Sequence, residues 1–183
     1  ERGLGRTNRP DRAGVREVEQ RAAGRMARGL LGGWAHVVMN ADNGSVLGLS
    51  MDYGPCGCRD DYDPYFVCNH SDHQGRYKFD AQPNIGLWNL TCLAQALLPL
   101  LDPDNSAAAA EQARAVLAAY EPELVNAYDQ GMRDKRGLAG ARDDDQRMSA
   151  PLLEAMPKRQ GAYTNPFQPT GDLPASTPDP PGT

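Results

Sequence analysis

Apolar residues recur at helical spacing in three stretches of the chain. From about Val15 to Trp34, the positions Val15, Val18, Ala22, Met26 and Leu30 fall on one side of a helix. Glu17 and Glu19 interleave there with Arg21 and Arg25, as on a solvated helix face. A second stripe, Trp88, Leu90, Leu93, Ala94, Leu97, Leu98 and Leu101, reads as a core helix ended by Asp102-Pro103. Asn105 or Ser106 then caps an alanine-rich helix, and Glu121-Pro122 restarts a further helix towards Lys135. Between the first two stripes the pattern changes. Val46, Leu47 and Leu49 are β-compatible, Gly44 and Gly48 supply turns, and the run stops at Gly54-Pro55. This predicts a tight β-hairpin that converges Asn43 and Asp52 at one end.

The pattern amounts to an α+β fold, mainly α-helical, with one short hairpin. Pro55 to Pro83 forms a long irregular segment, ordered by the anchors Tyr62, Tyr65, Phe66, Tyr77 and Phe79. Residues 1–14 read as a flexible basic start and 15–136 as the core. Residues 137–167 form a peripheral helical and irregular extension, with a short helix near Ala150 to Ala155. Residues 168–183, rich in Pro, Gly, Ser and Thr, cannot bury enough surface to offset ordering and read as a disordered tail.

Composition adds charge asymmetry and narrows the partners. The net charge is −5, yet Arg2, Arg6, Arg9, Arg12, Arg16, Arg21, Arg25 and Arg28 make the first segment basic, whereas Asp60, Asp61, Asp63 and Asp72 crowd the centre. The acids among those arginines argue against a nucleic-acid arm or a transit peptide. No uninterrupted apolar run reaches the roughly 18 residues that cross a bilayer, so no membrane partner is expected and the location is cytoplasmic.

Candidate chemistry lies at the two acidic turns. Asp42-Asn43 precedes Asp52-Tyr53-Gly54, and an isolated Asp-Asn is ordinarily only a turn dipeptide. If the hairpin brings Asn43 and Asp52 together, their hard oxygens suit Mg²⁺ or Mn²⁺ completed by water and a triphosphate. Asp42, pointing elsewhere, is then placed to accept a proton from an attacking hydroxyl. His36 reads as a structural histidine.

The stretch His36-Val-Val-Met-Asn-Ala-Asp42-Asn43-Gly-Ser-Val-Leu-Gly-Leu-Ser-Met-Asp52-Tyr-Gly-Pro55 resembles the selenoprotein O (SelO, YdiU) family of pseudokinase-like protein adenylyltransferases. The resemblance continues through Tyr62 to Asp72, Gly75 to Phe79, Gln82-Pro83 and Trp88 to Leu97, with weaker echoes at Gly131 to Lys135 and Ala162 to Phe167. It implies a protein-kinase-like C-lobe over 15–136. It also implies AMP transfer from ATP to Ser, Thr or Tyr hydroxyls of protein substrates, with Asp42 as base and Asn43 and Asp52 as metal and nucleotide ligands. A eukaryotic member would be mitochondrial.

A kinase-like enzyme also needs an N-lobe with a glycine-rich cover and a strand lysine. Only 35 residues precede His36, and no lysine precedes Lys78. The expectation is a C-lobe portion with the N-lobe absent, inactive alone. Two alternatives stand beside it: a zinc-stabilised interaction module on Cys56, Cys58, Cys68 and His70, and a non-catalytic remnant with an exposed lobe interface. Against zinc, the family places Phe at the positions of Cys56 and Cys58.

Overall fold

The computed structural model describes residues 10–36, 38–49, 56–58 and 63–137. Four helices carry the fold: α1 (Pro10–Leu31), α2 (Gln82–Leu101), α3 (Ser106–Leu117) and α4 (Tyr120–Lys135). A two-stranded antiparallel sheet, β1 (Trp34–His36) with β2 (Cys56–Cys58), is registered Trp34 to Cys58, Ala35 to Gly57 and His36 to Cys56. The arrangement is mainly helical with a small sheet, as the apolar pattern implies.

Each helix end has a local cause. Pro10 opens α1, where its missing N–H is no loss. Gly33, at φ 64°, turns the chain from α1 into β1. Lys135, near the end of α4, donates to the carbonyl of Leu31 and so satisfies an orphan acceptor at the end of α1. Asn105 is the N-cap of α3, its side-chain oxygen accepting from the N–H of Ala108 at 3.0 Å. Pro122 falls in the first turn of α4, at the restart that Glu121-Pro122 predicts.

The core has two parts that meet along α1 and α2. One gathers Ala23, Met26 and Ala27 of α1, Leu90 of α2, Tyr120 and Leu124 of α4, and Met39 and Tyr77 from the connections. The other joins Val15 to Ala94 and Leu101 of α2 and to Ala109, Ala113 and Val116 of α3. The buried line of α1 therefore runs Val15, Glu19, Ala23, Ala27 at strict i, i+4 steps. Val18, Ala22 and Leu30 of the expected stripe flank that line, packed against it and partly buried.

Small residues set how closely the helices approach. A Cβ on Gly86 would lie 2.6 Å from the hydroxyl of Tyr120 and 3.2 Å from Cε of Met26. Tyr120 is buried there, and its hydroxyl donates to the carbonyl of Pro83 at 3.2 Å. Burial pushes its pKa up to about 12.

Two expectations are corrected. The strands are Trp34–His36 and Cys56–Cys58, not the Val46 to Leu49 run. Ser45 explains why: its hydroxyl accepts from the N–H of Leu47 at 3.1 Å and its carbonyl from Gly48 at 3.1 Å, which closes a turn where a ladder was expected. Gly48 sits at φ 67°, and a Cβ there would lie 2.8 Å from Cβ of Arg21, so the backbone of the run approaches α1 closely while Val46, Leu47 and Leu49 stay exposed. Trp88 is half-exposed rather than core, because a residue two positions before Leu90 points to the opposite side of α2. One helical stretch, Phe79–Leu101, is long and apolar enough by composition to cross a membrane, with a mean hydropathy of 1.3, although Asp80, Gln82, Asn84, Asn89 and Gln95 interrupt its apolar run. In this structure α2 packs on α1 and α3, and its amides hold the neighbouring loop. The expected extension beyond Gly137 and the tail over 168–183 lie outside the described residues.

Candidate active site

The β1–β2 ladder fastens both ends of the segment 37–55, so the chain that leaves β1 with the Asp42 turn returns beside its own start. Within it, Ala41–Asn43 forms one turn of 3-10 helix, closed by Asn43 N–H to Asn40 O at 3.1 Å and Gly44 N–H to Ala41 O at 3.2 Å. Asp42 and Asn43 are adjacent on this turn and both exposed. Asn43 donates its amide N–H to the carbonyl of Val38 at 3.3 Å, which turns its carbonyl oxygen to the role of acceptor or ligand. Asp52, the third expected site residue, lies outside the described residues.

The turn is held by side chains with no expected role. Asn89 of α2 donates to the carbonyl of Met39 at 2.9 Å. Gln82, 1% exposed at the start of α2, donates to the carbonyls of His36 and Tyr77, both at 3.3 Å. The Tyr77 hydroxyl donates to Oδ1 of Asn40. Met39 inserts into the core between these anchors. The loop is thus tied to α2 through the carbonyls of His36 and Met39 and to the downstream segment through the Asn40 side chain, a mount for the exposed Asp42. The available signal was the spacing of Gln82 and Asn89: two amides seven residues apart share one helix face, and buried amides in an apolar helix need partners.

Behind the loop lies a cavity of about 380 Å³ between α1 and α2, walled by Val18, Ala22, Met26, Leu90, Leu93 and Val46. Ala41, Gly44 and Ser45 of the turn also line it, and Asp42 and Asn43 do not. Arg25 reaches from this wall to donate to the Leu49 carbonyl at 3.4 Å, and burial draws its pKa down. The His36 ring lies against Trp34 with centroids 4.0 Å apart and planes tilted by 59°. Its pKa falls to about 4, first through burial and then through repulsion from Arg25, so the ring is neutral at pH 7. That agrees with a structural role.

Of the alternative zinc set, the Cys68 thiol donates to the carbonyl of Ala35 at 3.5 Å, and burial raises its pKa, which favours the protonated thiol over the thiolate a metal needs. His70 is exposed, and the Cys58 side chain lies outside the described atoms. Among the described residues no group of three or more His, Cys, Asp or Glu side chains gathers as a metal site.

Comparison with known proteins adds what geometry alone does not. A family model described as protein adenylyltransferase SelO matches residues 5–173. Protein nucleotidyltransferase YdiU of Myxococcus xanthus is 46% identical over 155 residues, covering 85% of this chain and 30% of that protein. The Erwinia tasmaniensis protein of the same name is 48% identical over 152 residues, 83% of this chain and 30% of its own length. That of Pectobacterium atrosepticum is 50% identical over 136 residues, 74% and 27% respectively. The chain therefore spans about 30% of the length of these relatives, and over residues 5–173 it belongs to the SelO family of protein adenylyltransferases.

Proposed function

We propose that this chain carries the base and the metal ligands of an adenylyl transfer site, in the C-lobe of a kinase-like enzyme whose N-lobe lies elsewhere in the full protein. ATP is the donor, and the acceptor is a Ser, Thr or Tyr hydroxyl of a protein. The observation that carries the reading is the mounted turn: Asp42 and Asn43 side by side and exposed, just after a segment held by Gln82 at the His36 carbonyl, Asn89 at the Met39 carbonyl and Tyr77 at the Asn40 side chain. Transfer of a phosphoryl or nucleotidyl group is mostly positioning plus electrostatics, and a fixed carboxylate next to an oxygen ligand suits both.

The acceptor hydroxyl attacks the α-phosphorus, a new P–O bond forms, the bond to the bridging oxygen breaks, and pyrophosphate leaves. Asp42 takes the hydroxyl proton. Asn43, through Oδ1, and Asp52 would hold Mg²⁺ or Mn²⁺; an amide and a carboxylate oxygen fit a hard cation that keeps several waters. When bound, the ion neutralises triphosphate charge. Membership of the family and the bacterial relatives support this reading and a cytoplasmic setting.

The test is a chimera with residues 5–173 of this chain in place of the matching segment of the Myxococcus xanthus protein. Label from α-³²P-ATP, but not from γ-³²P-ATP, should enter protein. Asp42→Asn and Asp52→Ala should each lower the rate by at least about a hundredfold. A folded chimera that labels protein from γ-³²P-ATP, or is indifferent to both substitutions, would overturn the assignment.

A further inference from the structure

Two cations between Tyr65 and Trp88 are seated on exposed aromatic rings, and the transfer chemistry uses neither. The guanidinium carbon of Arg76 lies 4.9 Å from the centroid of the Trp88 ring and 5.7 Å from that of Tyr77. Nζ of Lys78 lies 5.0 Å from the centroid of Tyr65. Trp88 is 49% exposed and Tyr65 72%, large apolar areas to leave in water.

The seats are built rather than incidental. Gly75, at φ 65°, turns the chain, and the Asp72 carboxylate accepts from the N–H of Arg76 at 2.9 Å and of Tyr77 at 2.7 Å. The Asp63 carboxylate likewise accepts from the N–H of Tyr65 at 3.0 Å. Lys78 is paired with Asp80 at 3.1 Å, but Arg76 has no carboxylate within ion-pair reach among the described residues. A guanidinium seated over an aromatic ring has its rotamers already restricted, and its planar fork of N–H donors suits two-point capture of a carboxylate. A surplus cation on this seat is not the overflow of a basic surface, since the chain carries a net charge of −5.

The seat is also joined to the site. Tyr77, next to Arg76, donates its hydroxyl to Asn40, two residues before Asp42. We infer that the Arg76–Trp88 face docks an acidic segment of the protein substrate beside the hydroxyl that Asp42 serves; this rests on the adenylyl transfer reading. Arg76 takes the carboxylate, the free part of the Trp88 ring covers the apolar stem of the incoming side chain, and Lys78 with Tyr65 forms a second, weaker station. The partner is an acidic peptide, because a single guanidinium on a ring, with the neighbouring Lys78 already paired to Asp80, lacks the run of cations that tracks a nucleic-acid backbone.

Binding to the full chain reads this directly. A fluorescein-labelled peptide of alternating Glu and Ser should bind at least about tenfold tighter than its Gln and Ser counterpart, and more weakly as salt rises. Arg76→Glu should erase that preference, Arg76→Gln should abolish most of it, and Trp88→Ala should weaken binding of the Glu peptide about threefold to tenfold. Equal binding of the two peptides, a preference that survives in Arg76→Glu, or tighter binding of oligo(dU) of equal length would overturn the proposal. In the chimera, Arg76→Glu should raise KM for the Glu-flanked acceptor while leaving kcat and KM for ATP unchanged. Arg76-dependent peptide binding with no label transfer would sink the adenylyl reading alone. Transfer with KM indifferent to Arg76→Glu would sink only the docking face.

Discussion

His36 shows how burial sets the charge of a single side chain. Burial first, and then Arg25, hold its pKa at about 4, against 6.5 in an unfolded chain. The unfolded state therefore takes up the proton first, so the stability that His36 confers is complete above pH 6.5 and is lost as pH falls towards 4. Replacement by Gln should flatten the fall in urea-unfolding stability across that window, a difference on the order of 2 kcal/mol. Buried Glu19 drifts the opposite way: its pKa is raised, by burial first and then by Glu123, so its contribution improves as pH falls. The comparison belongs in a Glu19→Gln background, and equal slopes with and without the imidazole would contradict the assignment. At this scale the sequence marked the residues proposed to carry chemistry, Asp42 and Asn43, through a motif. It did not show who holds them, because hydrogen bonds from Gln82 or Asn89 to loop carbonyls leave no pattern of their own.

Elements were legible in proportion to their periodicity. The second helical stripe and the stop at Asp102 emerge from apolar spacing, and the Asn105 cap from a residue type with one local use. The hairpin did not emerge. Three β-compatible residues carry no information about whether a neighbour will pair, and a serine hydroxyl competing for the backbone decided against it. Helix contact distances were equally hidden, since glycine reads as a break until a partner is seen against it. Gly86→Ala should test this: despite the better helix propensity of alanine, its methyl meets the Tyr120 hydroxyl at 2.6 Å, and a net loss of about 1–2 kcal/mol is expected from overpacking. Tyr120→Phe should recover part of that loss in the double variant. Strict additivity by calorimetry would mean that the two residues do not share the contact.

On the scale of the whole molecule, Val46, Leu47 and Leu49 stand 50%, 58% and 60% exposed on the run beside the Asp42 turn. Contiguous apolar surface of this kind associates or waits for another part of a protein, and the relatives are about three times as long as this chain's match to them. Leu47→Ser with Leu49→Ser should shift the chain towards monomer in sedimentation at micromolar concentration, without changing its helical circular dichroism. An unchanged distribution would show that the patch is not what drives association.

Gln82 has a consequence for which substitutions this chain can accept. It is a donor facing two acceptors at once, the carbonyls of His36 and Tyr77. Glutamate, nearly identical in shape, would set an anion against both oxygens and offer no proton to either. One oxygen in place of one NH₂ would thus detach the strand before the acidic turn and the segment behind Arg76 in the same stroke.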